Sequence, residues 1–504
     1  MKLLSRFTLK NIDPQLVSLP PSSLLELPEK VLQFGTGVLL RGLPDYFIDK
    51  ANRQGIFNGR VAVVKSTSTG GTDDFEKQDC LYTLCIRGIE KGQNVSENII
   101  SSAISRVLSA DKDWHLILEL AHNPQLQLVV SNTTEVGIQL VKENIHQHPP
   151  ASFPGKLLAF LFERFKAFLG SESSGLIIIA TELIPDNGKK LESIVLELAH
   201  LNNLDDAFIA WLEKYNTFCN SLVDRIVPGK PDAKMVEELQ SNLGYTDNLL
   251  SIAEPYCLWA IEGDEKVAEA LSFAQADEGV IIKADIEIYR ELKVRLLNGT
   301  HTLTAGIAFF ADKKTVKEAM VDADILSYVE QLMTNEIVPA IPYQIPAEMA
   351  TSFASSVVDR FSNHSLEHLW LNITFQFTMK IKIRVLPLIL NHYKLFNTVP
   401  DYMALGFAAY LVFLRPVKKE GNQYFGTSKG DDYPIVDDQA DYFFNKIQNT
   451  PSDVYVAAVL AETSIWGADL TTLPGFTGYV AGAFAAYCEC SDNVLLRNLR
   501  LTKE

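Results

Sequence analysis

Short runs of apolar residues punctuate the first half of the chain. They fall at 31–34, 61–64, 128–130 and 176–180. Between them, stretches such as 156–169 and 189–201 carry apolar residues three and four positions apart, which predicts amphipathic helices. Runs that do not alternate with polar residues suit parallel strands covered on both faces. The alternation of strand and helix predicts an open α/β sheet. From about residue 288 the pattern changes. Long segments with helical periodicity dominate, at 326–337, 366–390, 402–414 and 454–463. The chain therefore reads as an α/β domain over 1–284 and a mainly α-helical domain over 285–504. The polar, Gly- and Asp-rich stretch 418–438 reads as a surface loop.

A chain of 504 residues is long enough for two cores. Its net charge of −17 disfavours nucleic acid as a partner, because the surface field repels phosphate. The longest apolar stretch, 403–414, is too short to span a bilayer, so no membrane partner is expected. The N-terminus lacks the apolar core of a signal peptide, and a cytoplasmic protein is expected. The six cysteines form no C-x-x-C pair. His364 and His368 stand four apart and could meet on a helix, but no third ligand is near in sequence, and no metal site is expected.

The first strand runs into Gly35-Thr36-Gly37, followed by an apolar helix start. Such a turn lets backbone approach a pyrophosphate at a helix N-terminus. The third glycine of G-x-G-x-x-G is replaced by Leu40, so a ligand-free strand–helix turn fits the motif equally well. The second strand ends in Lys65-Ser66-Thr67 rather than in an acid. An acid there would select NAD through the ribose hydroxyl, whereas Lys65 keeps NADP open.

Residues 287–309 hold Lys293, Asn298 and His301. At α-helical spacing His301 lies about 80° and Asn298 about 140° round from Lys293, so all three can line one side of a cleft. The set suits hydride transfer at a carbon bearing oxygen. A lysine can move the proton if its pKa falls towards neutrality, for which Arg290 and Arg295 could supply the field. An asparagine amide can donate to a developing alkoxide. A histidine can orient substrate. Spacing alone favours a chance pattern on an amphipathic helix.

Several segments together resemble the mannitol dehydrogenase family of polyol-specific long-chain dehydrogenases. Lys293-x4-Asn298-x2-His301 is similar to its catalytic pattern, and residues 218–228 resemble its F-x-x-S-x-V-D-R-I-x-P signature. Gly35-x-Gly37-x-x-x-Arg41 resembles its cofactor loop. LAHNP (120–124), SNTTEVGI (131–138), LFERF (161–165), TELIPDNG (181–188) and LNGTHT (297–302) extend the likeness from about Val31 to residue 476. The resemblance implies a Rossmann-like N-terminal domain, a metal-independent NAD-linked enzyme and a sugar acid as substrate. It implies Lys293 as general acid/base, Asn298 with Asn187 as alkoxide donors, and His301 as a substrate-positioning group. Cofactor contacts are implied for Gln33, Phe34, Gly35, Thr36, Gly37, Val38, Leu39, Arg41, Asn132 and Thr133. Lys380 occupies the position of a substrate-binding lysine. Arg360 and Arg384 are further candidates for a carboxylate, with solvated helix faces as the alternative. Asp224 is expected in the cleft or paired with Arg225. For Asn187 the alternative is turn chemistry, since Asn-Gly favours a turn. The remaining alternatives for the whole chain are a dehydrogenase of neutral polyols or mannonate, and a nucleotide-binding protein without catalysis.

Overall fold

The computed structural model describes residues 1–67, 70–133 and 137–489. The chain forms two compact units. One comprises Met1–Arg87 with Asn94–Ile286, and the other Gly88–Gln93 with Glu287–Glu504. The tip of a hairpin, 88–93, thus belongs with the second half of the chain, which no composition shift announces.

The first unit is built on six parallel strands: β1 (Glu29–Phe34), β2 (Arg60–Lys65), β3 (Ile104–Ser109), β4 (Leu128–Ser131), β5 (Ile177–Ala180) and β6 (Thr217–Cys219). They lie in the order β3-β2-β1-β4-β5-β6, so the direction of winding reverses between β1 and β4. This is the doubly wound dinucleotide-binding order, and its ligand crevice lies at the strand C-termini where the order reverses. Both faces are covered, which is why the strands read as unbroken apolar runs. Leu32, Phe34, Val64, Val129 and Ile178 pack on α3 (Phe153–Ala167) and α4 (Asn187–Leu201). Val31, Val61, Val63 and Val130 pack on α1 (Val38–Gly42) and α2 (Pro44–Arg53).

The second unit is mainly helical. Its centre is α8 (Asp401–Phe413), buried along nearly its whole length. It packs on α5 (Thr300–Phe310) and α9 (Phe476–Glu489). Gly306 and Gly406 permit the α5–α8 approach. A Cβ on Gly306 would stand 2.9 Å from the Ala409 carbonyl carbon, and one on Gly406 would stand 2.7 Å from the Leu303 oxygen. The buried carboxylate of Glu336 accepts hydrogen bonds from the Tyr402 and Met403 amides (2.9 and 2.8 Å), satisfying the start of α8.

Two expectations need correction here. Residues 418–438 are not a loop. They form the antiparallel meander β7 (Lys418–Glu420), β8 (Gln423–Ser428) and β9 (Asp431–Ile435). Lys429 and Gly430 both have positive φ, as the two-residue hairpin turn between β8 and β9 requires. The exposed faces are so polar that the two-residue period was masked. The segment 366–390 is not one helix either. It breaks into Trp370–Ile373, Phe377–Lys380, a π-helical turn Ile381–Val385, and then α7 (Leu386–Phe396), once α6 (Ala347–Phe361) has ended before it. Gln376 adopts left-handed backbone at the break and donates its amide to the Val436 carbonyl at 2.8 Å.

Candidate active site

The Lys293–His301 stretch is helical but not regularly α. Residues Leu292–Gly299 are π-helical, and α5 follows directly. Hydrogen bonding from i to i+5 brings Asn298 onto the face of Lys293, in place of the wide offset expected for an α-helix. Two further π-helical stretches, Leu332–Ile337 and Ile381–Val385, pack against this one. Such insertions are frequent at functional sites.

Lys293 and Asn298 are half-buried. The side-chain amide of Asn298 makes no hydrogen bond among the described residues. His301 is buried, and its Nε2 has no partner among the described residues. Its ring stacks on Phe361 with centres 4.0 Å apart, and His368 and Trp370 present their rings edgewise at 5.2 and 6.0 Å. Burial, with His368, Arg360, Arg384 and Lys380 around it, holds His301 well below the usual imidazole range. The ring is therefore neutral near pH 7, with one donor and one acceptor nitrogen.

Arg290 and Arg295 do not serve as the field expected for Lys293. Each is matched by a carboxylate on its own helix, Arg290 by Glu287 at 2.6 Å and Arg295 by Glu291 at 3.0 Å.

Lys380 and Arg384 gather near His301, and each donates to a neutral oxygen: Lys380 to the Ile373 carbonyl at 2.8 Å and Arg384 to Thr302 Oγ1 at 3.2 Å. Burial, with Arg384 alongside, pushes the Lys380 amine down to about 8. Burial also pushes Arg384 down to about 10. Arg360 is buried one residue before Phe361, at the end of α6. Asp437 fixes the short helix that carries Lys380, accepting from the Thr378 amide at 2.8 Å. Among the described residues neither Lys380 nor Arg384 forms an ion pair, and the Asp437 carboxylate only partly offsets the downward shift of Lys380.

In the first unit, Gly35 follows β1 with φ +129°, and a Cβ there would stand 2.9 Å from the Asn132 carbonyl oxygen after β4. Only glycine suits this approach between β1 and β4. Gly37 is exposed and begins α1 with open space around it, so backbone can approach a ligand there. Thr36, Val38 and Leu39 are half-buried beside it. Gln33 and Phe34 lie beneath the turn. Gln33 donates to the Gly35 carbonyl at 3.3 Å and to the buried Asp45 at 3.4 Å. Asn132 donates to Thr181 Oγ1 at 3.0 Å, and the Thr133 amide to Glu182 at 2.8 Å.

Two residues expected at ligands also hold structural hydrogen bonds. Arg41 turns inward, donating to the Leu249 carbonyl at 2.5 Å with its guanidinium over Phe75 and Tyr82. Asn187 has all its amide capacity in use. Its Nδ2 donates to the Glu182 and Ser221 carbonyls, and its Oδ1 accepts from the Gly188 and Ser221 amides, all at 2.9 Å. It acts as a bracket between the start of α4 and the strand Ser221–Asp224, and no turn is needed to explain it. Asp224 is buried at the end of that strand, while Arg225 donates to the Glu254 and Gly42 carbonyls at 2.9 and 2.7 Å. Lys65 is buried with its amine bonded to the Thr67 carbonyl.

His364 and His368 lie in the segment between α6 and Trp370–Ile373, not on a helix. Among the described residues no three His, Cys, Asp or Glu side chains gather as a metal site, and no helix is long and apolar enough to cross a membrane. Sequence reasoning missed Phe361, His368 and Trp370, which form the slot for His301. Their only linear signal was the aromatic and histidine density of 361–370.

A helix offering an amine, a free amide and a neutral imidazole suits carbinol–carbonyl chemistry, and the first unit has the strand order of dinucleotide-binding enzymes. The chain is a dehydrogenase acting on CH–OH groups. More particularly, it belongs to the mannitol dehydrogenase family: residues 29–275 match the mannitol dehydrogenase Rossmann domain and 285–488 the mannitol dehydrogenase C-terminal domain. It is 37% identical over 461 residues to an altronate oxidoreductase of Bacillus subtilis (strain 168), covering 90% of this chain and 92% of that one. It is 38% identical over 475 residues to an altronate oxidoreductase of Escherichia coli O7:K1, covering 92% and 95%. Among solved structures, the mannitol 2-dehydrogenase of Pseudomonas fluorescens, in ternary complex with NAD and D-mannitol, superposes with a TM-score of 0.70 at 22% identity over 100% of both chains. A substrate-free D-sorbitol dehydrogenase gives 0.77 at 20% identity over 97% of this chain and 98% of that one. These two share the fold.

Proposed function

We propose that the protein interconverts D-tagaturonate and D-altronate with NADH/NAD, a step in hexuronate breakdown. The observation that carries this reading is the group of Arg360, Lys380 and Arg384 beside His301 on the unit that holds Lys293. A neutral polyol needs no such cations. A uronate needs them for its carboxylate, which pairs best with charged donors. The names of the curated relatives support the same substrate pair.

The glycines at the β1–β4 reversal fit a dinucleotide: Gly35 admits a close backbone approach and Gly37 leaves open space. The cofactor, when bound, supplies or accepts the hydride. In the reductive direction the carbonyl oxygen gains a proton as its carbon gains hydride. Lys293, as the ammonium, donates that proton, and takes it back in the oxidative direction. The Asn298 amide donates to the oxygen while its charge develops. His301, neutral and held flat against Phe361, orients a substrate hydroxyl. Lys380 and Arg384 exchange neutral carbonyl and hydroxyl partners for the carboxylate. NAD is favoured over NADP because Lys65 is buried, which leaves its amine poorly placed to take a 2′-phosphate.

The test is a substrate and cofactor profile of the purified enzyme. NADH oxidation is expected with D-tagaturonate and to be much weaker with D-fructose, D-fructuronate or NADPH. Turnover of fructose with none of tagaturonate would overturn the reading.

A further inference from the structure

Glu182 has no assigned role, and its surroundings are unusual. It follows β5 and is 2% exposed. Its Oε1 accepts from the Thr133 amide at 2.8 Å and from Thr133 Oγ1 at 3.0 Å, and its Oε2 accepts from Ser131 Oγ at 3.2 Å. Its own carbonyl accepts from Asn187 Nδ2 at 2.9 Å. The neighbouring Thr181 extends the clamp. Its hydroxyl donates to the Ser131 carbonyl at 2.7 Å and accepts from Asn132 Nδ2 at 3.0 Å. The three residues that leave β4 are thus held by side chains from the end of β5. Burying a carboxylate is costly unless donors surround it. Burial pushes the Glu182 carboxyl up, and the Thr133 and Ser131 bonds oppose that shift. Packing alone would be served by an apolar residue. Here the two carboxylate oxygens together accept three donors from one loop, which an apolar side chain could not do.

In the 3-2-1-4-5-6 order, β1–β3 build one mononucleotide half of the crevice and β4–β6 the other. Residues 131–133 end the first strand of that second half. We propose that Glu182 is a positioning residue for the nicotinamide-bearing half of the cofactor, fixing Asn132 and Thr133 so that they present one rigid edge to it. The inference rests on the dinucleotide reading above. It assigns the turn carrying Asn187 to the same framework, since the Glu182 carbonyl and the Glu182 carboxylate tie that turn and the β4 edge to one residue.

The experiment is a binding titration on the full-length enzyme with two probes, NADH and ADP. ADP shares the adenosine and pyrophosphate and lacks the nicotinamide half. Glu182→Ala is expected to weaken NADH at least tenfold and to leave ADP within about twofold. Glu182→Gln keeps an acceptor for Thr133, and the Ser131 hydroxyl can rotate to accept from its NH₂, so it should restore most of the NADH affinity. Glu182→Met, similar in volume but without acceptors, serves if the alanine variant fails to fold. Equal weakening of both probes, or no change in either, would overturn the proposal. A wild-type enzyme that binds neither probe would overturn the dinucleotide reading and this proposal with it. A wild-type enzyme that binds both, with variants that behave alike, would overturn the proposal alone.

Discussion

The imidazole of His301 lies face to face with the ring of Phe361, centres 4.0 Å apart and planes 14° from parallel. The contact orients the imidazole and removes it from water. Arg360, Arg384 and Lys380 surround it with positive charge, and His368 beside it also opposes its protonation. His301 should therefore act as a fixed hydrogen-bonding group and not as a proton reservoir. Its pKa is depressed, so it stays neutral as pH falls through the usual imidazole value of about 6.5. The pH profiles of wild type and His301→Asn should share one shape between about pH 6 and 8, with the variant lower throughout. A limb near 6.5 that disappears in the variant would refute this.

Phe361 can be tested separately. Phe361→Leu keeps apolar bulk and loses the flat face. Turnover is expected to fall about tenfold, with Phe361→Tyr close to wild type, measured as kcat with saturating NADH. Equal kcat in the leucine variant would show that stacking does not position His301.

Lys293 carries the proton in this account. Lys293→Ala should lower kcat by about 10²–10⁴-fold, the usual contribution of a general acid or base. NADH binding, followed by fluorescence titration, should persist. A variant with near-normal turnover would remove Lys293 from the reaction.

Lys380 gives a pH signature. Its amine is pushed down to about 8, so it is charged below that pH and neutral above it. KM for a carboxylate substrate should rise as pH increases through about 8, with the midpoint moved upward by the bound anion. Lys380→Met should raise that KM about ten- to a hundredfold, the worth of a charge-assisted hydrogen bond, and should flatten its pH dependence. A flat wild-type KM across that range would argue against Lys380 as the carboxylate ligand.

The two glycines of the cofactor turn should differ. Gly35→Ala places a Cβ 2.9 Å from the Asn132 oxygen in a backbone conformation alanine resists, so both stability and NADH binding should fall. Gly37→Ala meets nothing within 4 Å. Its Tm should be unchanged while NADH binding weakens. Unchanged NADH affinity in both variants would take the dinucleotide away from this turn.

Much of the sheet was legible because parallel strands covered on both faces leave unbroken apolar runs; 31–34, 61–64 and 128–130 lie in it, as does 176–180 from its second residue on. The meander at 418–435 was not legible, because its exposed faces are charged and only Tyr433, Ile435 and Gly426 turn inward. The π-helical turn at Leu292–Gly299 has no periodicity signal, since i+5 spacing does not differ visibly from α spacing over two turns. Lys293, Asn298 and His301 were found by resemblance. The aromatic slot around His301 depends on segments far apart in the chain, and it could be seen only after folding. Arg41 and Asn187 were likewise singled out by resemblance; in the fold Asn187 satisfies backbone groups of Glu182, Gly188 and Ser221, and Arg41 bonds the Leu249 carbonyl.

D-Tagaturonate and D-tagatose differ only in the terminal carboxylate, so the pair isolates the role given to Arg360, Lys380 and Arg384. The ratio of kcat/KM for the two with NADH is the most direct test of a uronate-specific dehydrogenase. The account predicts a ratio of at least about a hundred in favour of tagaturonate, corresponding to roughly 3 kcal/mol. Equal values, or a preference for tagatose, would contradict it.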